Sequence, residues 1–200
     1  MAADNTCYFD QMKRSFADVP VTDEGVDTLA FLEACEDLVR LFDLFGSKAF
    51  TVVQNDLSGN IAKIRTRYDA CPEKSKTLEL LVENEKAEKK KDATQGLLWL
   101  TRGLHFTYEG LRLSQKNPGD ELSVSFTKGY EVTLKQYHSF VVKPLFGLAM
   151  KACPYRADLY EKMGTKERVD TELERWLSAL EMIVNRIQSF YEKGNYGKGL

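Results

Sequence analysis

Asp56, Asn60 and Lys63 are the first residues whose types and spacing could do chemistry. With each helical residue advancing about 100° and Asp56 as zero, Asn60 lies near ~40° and Lys63 near ~−20°, so the three share an arc of roughly 60°. Val53, Leu57, Ile61 and Ile64 fall between about 60° and 140° on the same reckoning, which puts the polar trio on the margin of the apolar stripe. An acceptor, an amide and a cation stacked over two turns can accept from and donate to a polyhydroxyl or amide ligand. The same pattern also describes the wet side of an ordinary amphipathic helix. Two residues weigh against that plain reading. Gly59 and Asn60 are poor helix formers, a mid-helix Gly costing ~1 kcal/mol relative to Ala, and such a choice suits a close approach to the backbone. Trp99 is the second feature: it is either core, or an indole at a pocket mouth that stacks on the C–H face of a sugar ring.

Catalytic groupings are scarce. The two histidines, His105 and His138, belong to no HExxH pair, and no G-x-S-x-G elbow, P-loop or dinucleotide fingerprint occurs. Asp56 and His138 could form an acid–base pair, but with no nucleophile or metal set beside them. The sequence thus argues against an enzyme and calls for no cofactor and no metal. A formal charge of −2 gives no global attraction to nucleic acid or to an anionic membrane, so any membrane contact must be local and reversible. The stretch Met1 to Asp10 is polar, no apolar run approaches the ~20 residues that span a bilayer, and Asn195 to Leu200 carries no lipidation signal. Cys7, Cys35, Cys71 and Cys153 are far apart and form no CxxC pair, which reads as reduced thiols in a cytoplasmic protein.

Helices must position these groups, because apolar residues recur at helical spacing almost throughout. Phe31, Cys35, Leu38, Phe42 and Phe45 line a first helix stopped by Gly46-Ser47. A second runs from about Ala49 to Ala70, ahead of Pro72. The segment Lys74 to Lys91 opens on an apolar Leu78-Leu81-Val82 face and ends in a charged run that reads as a solvated helix end. A fourth helix, about Ala93 to Gln115, is apolar on two flanks, as suits a central element between two layers. Helical patterns continue from Glu121 to His138 and from Phe140 to Ala152, with Pro144 marking a start or a kink. Cys153-Pro154 breaks the chain before the last long helix, which holds Leu173 to Tyr191. No repeat or linker divides the chain, so residues 1–200 are expected to form one domain.

Several segments, taken together, resemble one family. Asp56-Leu57-Ser58-Gly59-Asn60-Ile61-Ala62-Lys63-Ile64 is similar to the D-x-S-G-N-x-x-K-I segment of glycolipid transfer proteins, and Leu97-Leu98-Trp99-Leu100-Thr101-Arg102-Gly103-Leu104 to their L-x-W-L-x-R-G-L segment. Phe42-Asp43-Leu44-Phe45-Gly46-Ser47, Tyr137-His138-Ser139-Phe140, Ala152-Cys153-Pro154-Tyr155 and Asn195-Tyr196 resemble further landmarks in the same order. The wording looks most like fungal members, including the heterokaryon-incompatibility type. The resemblance implies an all-α, two-layer helical sandwich that encloses the lipid chains. It also implies that Asp56, Asn60 and Lys63 bind the sugar, that Trp99 is the stacking platform, that His138 meets the ceramide amide and that Tyr196 helps close the head-group site. Phe42, Phe50, Val53, Phe106, Leu134 and Phe146 are candidates for hydrocarbon-chain contact, each equally readable as plain core.

The cargo implied is a glycosphingolipid such as glucosylceramide, galactosylceramide or lactosylceramide, moved between membranes without energy input. Members of the sister family that carry ceramide-1-phosphate resemble this chain less at two positions, having lysine where Asn60 stands and arginine where Trp99 stands. Phosphate needs cationic donors, whereas a neutral sugar suits an amide and an aromatic face. A sensor that binds glycolipid without moving it would share the site and stays open as the alternative. Transfer needs an apolar sleeve: wetting about thirty CH₂ groups at ~0.8 kcal/mol each would cost on the order of 20–25 kcal/mol. It also needs a small docking surface. Phe140, Lys143, Tyr155 and Arg156, aromatic and basic together, are the candidates for transient membrane contact; animal relatives resembling this chain carry tryptophan where Phe140 stands.

Overall fold

Helix stops and caps follow the sequence closely in the computed structural model, which describes residues 6–200; Met1 to Asn5, half of the polar N-terminal stretch, lie outside the described residues. The helices are α1 (Thr28–Leu41), α2 (Thr51–Ala70), α3 (Leu78–Ala87), α4 (Asp92–Lys116), α5 (Leu122–Val132), α6 (Val142–Lys151), α7 (Arg156–Met163) and α8 (Lys166–Gly194). Asp27 caps α1 by accepting from the Ala30 N–H at 2.8 Å, and Thr77 caps α3 by accepting from the Leu80 N–H at 3.2 Å. A tight turn over Phe42–Phe45 prolongs α1 until Gly46, whose φ of +68° ends it in the left-handed region open to glycine. The buried Glu85 carboxylate receives the Ala93 N–H at 3.2 Å and the Thr94 N–H at 2.7 Å, supplying the first turn of α4 with the acceptor its orphan donors require.

Two layers meet along α2 and α4. Helices α1 and α6 pack on α2, while α3, α5 and α8 pack on α4. Close approach of α2 and α4 depends on small residues: a Cβ at Gly103 would lie 2.7 Å from Leu57 Cδ2, and one at Gly96 would lie 3.0 Å from Lys63 Cβ and 3.2 Å from the Asn60 carbonyl. Under α8, Phe9 and Phe16 both pack against Trp176 at the edge of the same core.

The structure corrects two sequence expectations, on the extent of α5 and on Gly59, and decides between the two readings of Pro144. The pattern Glu121 to His138 is not one helix: α5 ends at Val132, and Thr133, at φ −113° and ψ −79°, turns the chain away while its hydroxyl donates to the Gly129 carbonyl. Pro144 falls in the first turn of α6, where no helical acceptor needs its missing N–H, so it starts that helix rather than kinking it. Gly59 is solvent-facing with open space where a Cβ would stand, so its presence reflects no close approach. The charged run at the end of α3 is exposed apart from the half-buried Glu88, as expected of a solvated helix end, and two of its residues are tied down: Glu88 accepts from Arg67 and Lys74, both at 2.8 Å, and Lys86 donates to the Gly194 carbonyl. A short antiparallel hairpin, β1 (Val21–Thr22) with β2 (Gly25–Val26), was absent from the helical pattern altogether.

Candidate functional site

A cleft of about 630 Å³ opens where α2, α4 and the α5–α6 connection converge, and Asp56, Asn60, Lys63, Trp99 and His138 all line it. Five side chains from three separated segments thus share one wall. The α2 trio is internally ordered. Asn60 is buried, its amide donates to the Asp56 carbonyl at 2.9 Å, and its Oδ1 accepts from Lys63 Nζ at 3.3 Å. Asp56 is half-buried, and its carboxylate accepts no hydrogen bond from a described residue. Burial raises its pKa above the ordinary carboxylate value and Lys63 opposes that rise. Its oxygens therefore face the cleft as charged acceptors held at a cost in solvation.

On α4, Trp99 lies half-buried and near-parallel to the His138 imidazole, with ring centroids 6.2 Å apart and planes 14° apart. His138 packs against Phe146 at 4.4 Å and shares a 3.0 Å hydrogen bond between its Nδ1 and the Tyr130 hydroxyl. Burial, with Lys143 adding to it, lowers the His138 pKa, and burial raises that of Tyr130. The imidazole is neutral and the phenol protonated at neutral pH. A phenol donating to Nδ1 would put the ring proton on Nε2 and leave one N–H for a ligand carbonyl.

Behind the polar wall, Phe42, Phe50, Val53, Phe106, Leu134 and Phe146 are each buried to 2% exposure or less. Phe42 stacks on Phe50 at 5.5 Å, and Phe106 meets Phe146 edge to face at 6.2 Å. Of the six, Phe146 also lines the cleft, so the apolar interior begins at the cleft floor.

The outlying candidates divide. Phe140 is 85% exposed and Tyr155 70% exposed, and Lys143 is exposed as well. Val141, Leu145 and Leu148, spaced by four and three, form one exposed apolar face of α6 and its leading turn, and Leu145 also lines the cleft. Arg156 departs from the expected outward cation: its Nε donates to Ser114 at 3.3 Å and its guanidinium lies 4.1 Å from the Tyr160 ring centroid. Tyr196 does not line this cleft. It stacks on Phe190 at 4.7 Å with Lys86 over its ring, beside the C-terminal tail. Sequence reasoning passed over Gln95 and Tyr137, which line the cleft; the signal was their position, one turn before Trp99 and next to His138.

Comparison with known proteins gives a consistent result. Residues 26–165 match the family model described as glycolipid transfer protein. The chain is 52% identical over 184 residues to a glycolipid transfer protein of Aureobasidium melanogenum, covering 92% of each. It superimposes on the crystal structure of HET-C2, a fungal glycolipid transfer protein, with a TM-score of 0.88 and 46% identity, covering 92% of this chain and 96% of that one. A structure of FAPP2, described as selecting simple glycosphingolipids with the same fold, matches with a TM-score of 0.84 and 30% identity over 96% and 98% of the two chains.

Proposed function

The chain belongs to the glycolipid transfer protein family, and from that premise we propose that the α2–α4 cleft holds the sugar of a glycosphingolipid while the apolar layer behind it takes the ceramide chains. The protein picks the lipid from one membrane and delivers it to another, net flow following the lipid gradient and no bond being made or broken. One observation carries this reading: Asp56, Asn60, Lys63, Trp99 and His138 converge on a single cleft whose floor continues into a buried aromatic layer. Trp99 offers a ring face to the sugar. Asp56 accepts from sugar hydroxyls, Lys63 donates to sugar oxygens, and His138 Nε2–H meets the ceramide carbonyl. The cleft holds one cation, Lys63, and an opposing carboxylate, a poor set for a phosphate dianion. Glucosylceramide, galactosylceramide and lactosylceramide fit it better than ceramide-1-phosphate.

Docking falls to the exposed face of Phe140, Val141, Leu145 and Leu148, flanked by Lys143 and Tyr155. Because Leu145 belongs to both this face and the cleft, a lipid leaving the bilayer passes from membrane to protein with little apolar surface wetted. No helix among the described residues is long and apolar enough to cross a membrane, and the four cysteines are unpaired, in keeping with a cytoplasmic carrier, acting as one domain, that touches membranes only in passing. Tyr196 closes the head-group side only by moving off Phe190. The test is a vesicle-to-vesicle assay with fluorescent galactosylceramide, ceramide-1-phosphate and phosphatidylcholine. The sugar lipid is expected to move and the other two to stay; equal movement of all three, or tight binding without transfer, would overturn the reading.

A further inference from the structure

One helical turn beyond Trp99, Arg102 lies half-buried on α4 with no carboxylate partner among the described residues. Its guanidinium carbon is 3.8 Å from the centroid of the Tyr137 ring and 4.7 Å from that of Trp99. Those two rings meet edge to face at 6.4 Å. Trp99 lines the sugar cleft, Arg102 lines a second cleft of about 370 Å³ between α4, α8 and the C-terminal tail, and Tyr137 lines both. The three side chains are therefore the partition between the clefts, with Arg102 on the far side from the sugar.

Half-buried and with no carboxylate within ion-pairing distance among the described residues, the guanidinium leans on the two ring faces and on the Tyr137 hydroxyl, and partial desolvation strengthens the attraction to the rings. Packing alone would be met by an unbranched apolar side chain of the same length. What the cation adds is orientation, because it draws both rings to face one planar group. Tyr137 is followed in the chain by His138, which lies parallel to the same indole. We infer that Arg102 is a positioning residue for lipid recognition: bracing Trp99 from the neighbouring cleft and clamping Tyr137, it fixes the stacking platform and holds His138 beside it. This inference rests on the sugar-binding reading of the cleft for its effect on affinity, but not for its effect on Trp99 itself.

The experiment compares wild type, Arg102→Met, which keeps the stem and removes the cation, and Arg102→Lys, which keeps the charge. Two readouts are taken: the ¹H–¹⁵N indole resonances and their relaxation in lipid-free protein, with Trp99 assigned by its loss in Trp99→Phe, and the affinity for short-chain galactosylceramide. In Arg102→Met the Trp99 resonance should shift and gain mobility while the core Trp176 resonance stays in place. Affinity should fall about two- to thirtyfold, the range of a cation–π contact, and Arg102→Lys should recover most of it. A Trp99 resonance unmoved in Arg102→Met would overturn the inference. So would Trp99 and Trp176 shifting together in both variants, which marks general loosening. If wild type fails to bind galactosylceramide, the sugar-binding reading falls, and the mobility of the Trp99 indole still decides whether Arg102 braces it.

Discussion

Asp56 is held ionised in a half-buried position where its pKa is raised, so its charge works against the lipid-free fold. Below the ordinary carboxylate range both the folded and the unfolded chain carry the proton. Between that range and the raised value the unfolded chain has released it and the folded one has not, so stability falls as pH rises through this window. Asp56→Asn should therefore raise the melting temperature at neutral pH. The same substitution removes a charged acceptor, and loss of one charge-assisted hydrogen bond costs about tenfold to a hundredfold in affinity. Thermal denaturation and galactosylceramide binding on one sample check both halves. Trp99→Ala should abolish transfer, since no other aromatic side chain on α4 lines the cleft; transfer assays with helicity held constant check it.

At the scale of elements, two glycines with the same letter should behave oppositely. Gly103→Ala sets a Cβ 2.7 Å from the buried Leu57 side chain at the α2–α4 contact, and such overpacking costs about 1–3 kcal/mol. Gly59→Ala faces open solvent on α2 and should stabilise by about 0.5–1 kcal/mol with transfer unchanged. Urea denaturation of the two variants measures both. The pair also marks where sequence reading stopped. Helical spacing located α2, α4 and α8 because each carries a long apolar stripe, and Gly46 and Pro72 marked the stops of the first helix and of α2 plainly. The same spacing could not say which glycine faces a neighbour, since that depends on how two helices cross. The end of α5 was hidden because Leu134 continues the apolar period after Thr133 has already turned the chain. On α2 the angular argument placed the site trio correctly at the edge of the stripe. That Asp56 and Trp99 share a cleft came only through the family resemblance, and Tyr137 and Arg102, though part of the matching segments, were given no role because an exposed loop tyrosine and a helical arginine have no periodic signature.

For the whole molecule, the proposed binding cleft and the proposed docking face adjoin at Leu145 and make separable predictions. Phe140→Ser should lower vesicle association and slow transfer several-fold while leaving affinity for short-chain galactosylceramide in solution unchanged, because Phe140 is outside the cleft lining. Co-sedimentation with vesicles beside solution binding checks that separation. The buried ring contacts from Phe42 to Phe146 must part to admit hydrocarbon, exchanging one set of apolar contacts for another of similar area. The most direct measurement is a crystal structure of the complex with galactosylceramide. The sugar ring should lie against Trp99 with its hydroxyls within about 2.7–3.2 Å of Asp56 and Asn60, and the chains should part the phenylalanine layer. A sugar bound in the cleft behind Arg102, or chains lying on the outer surface with that layer still closed, would contradict the account.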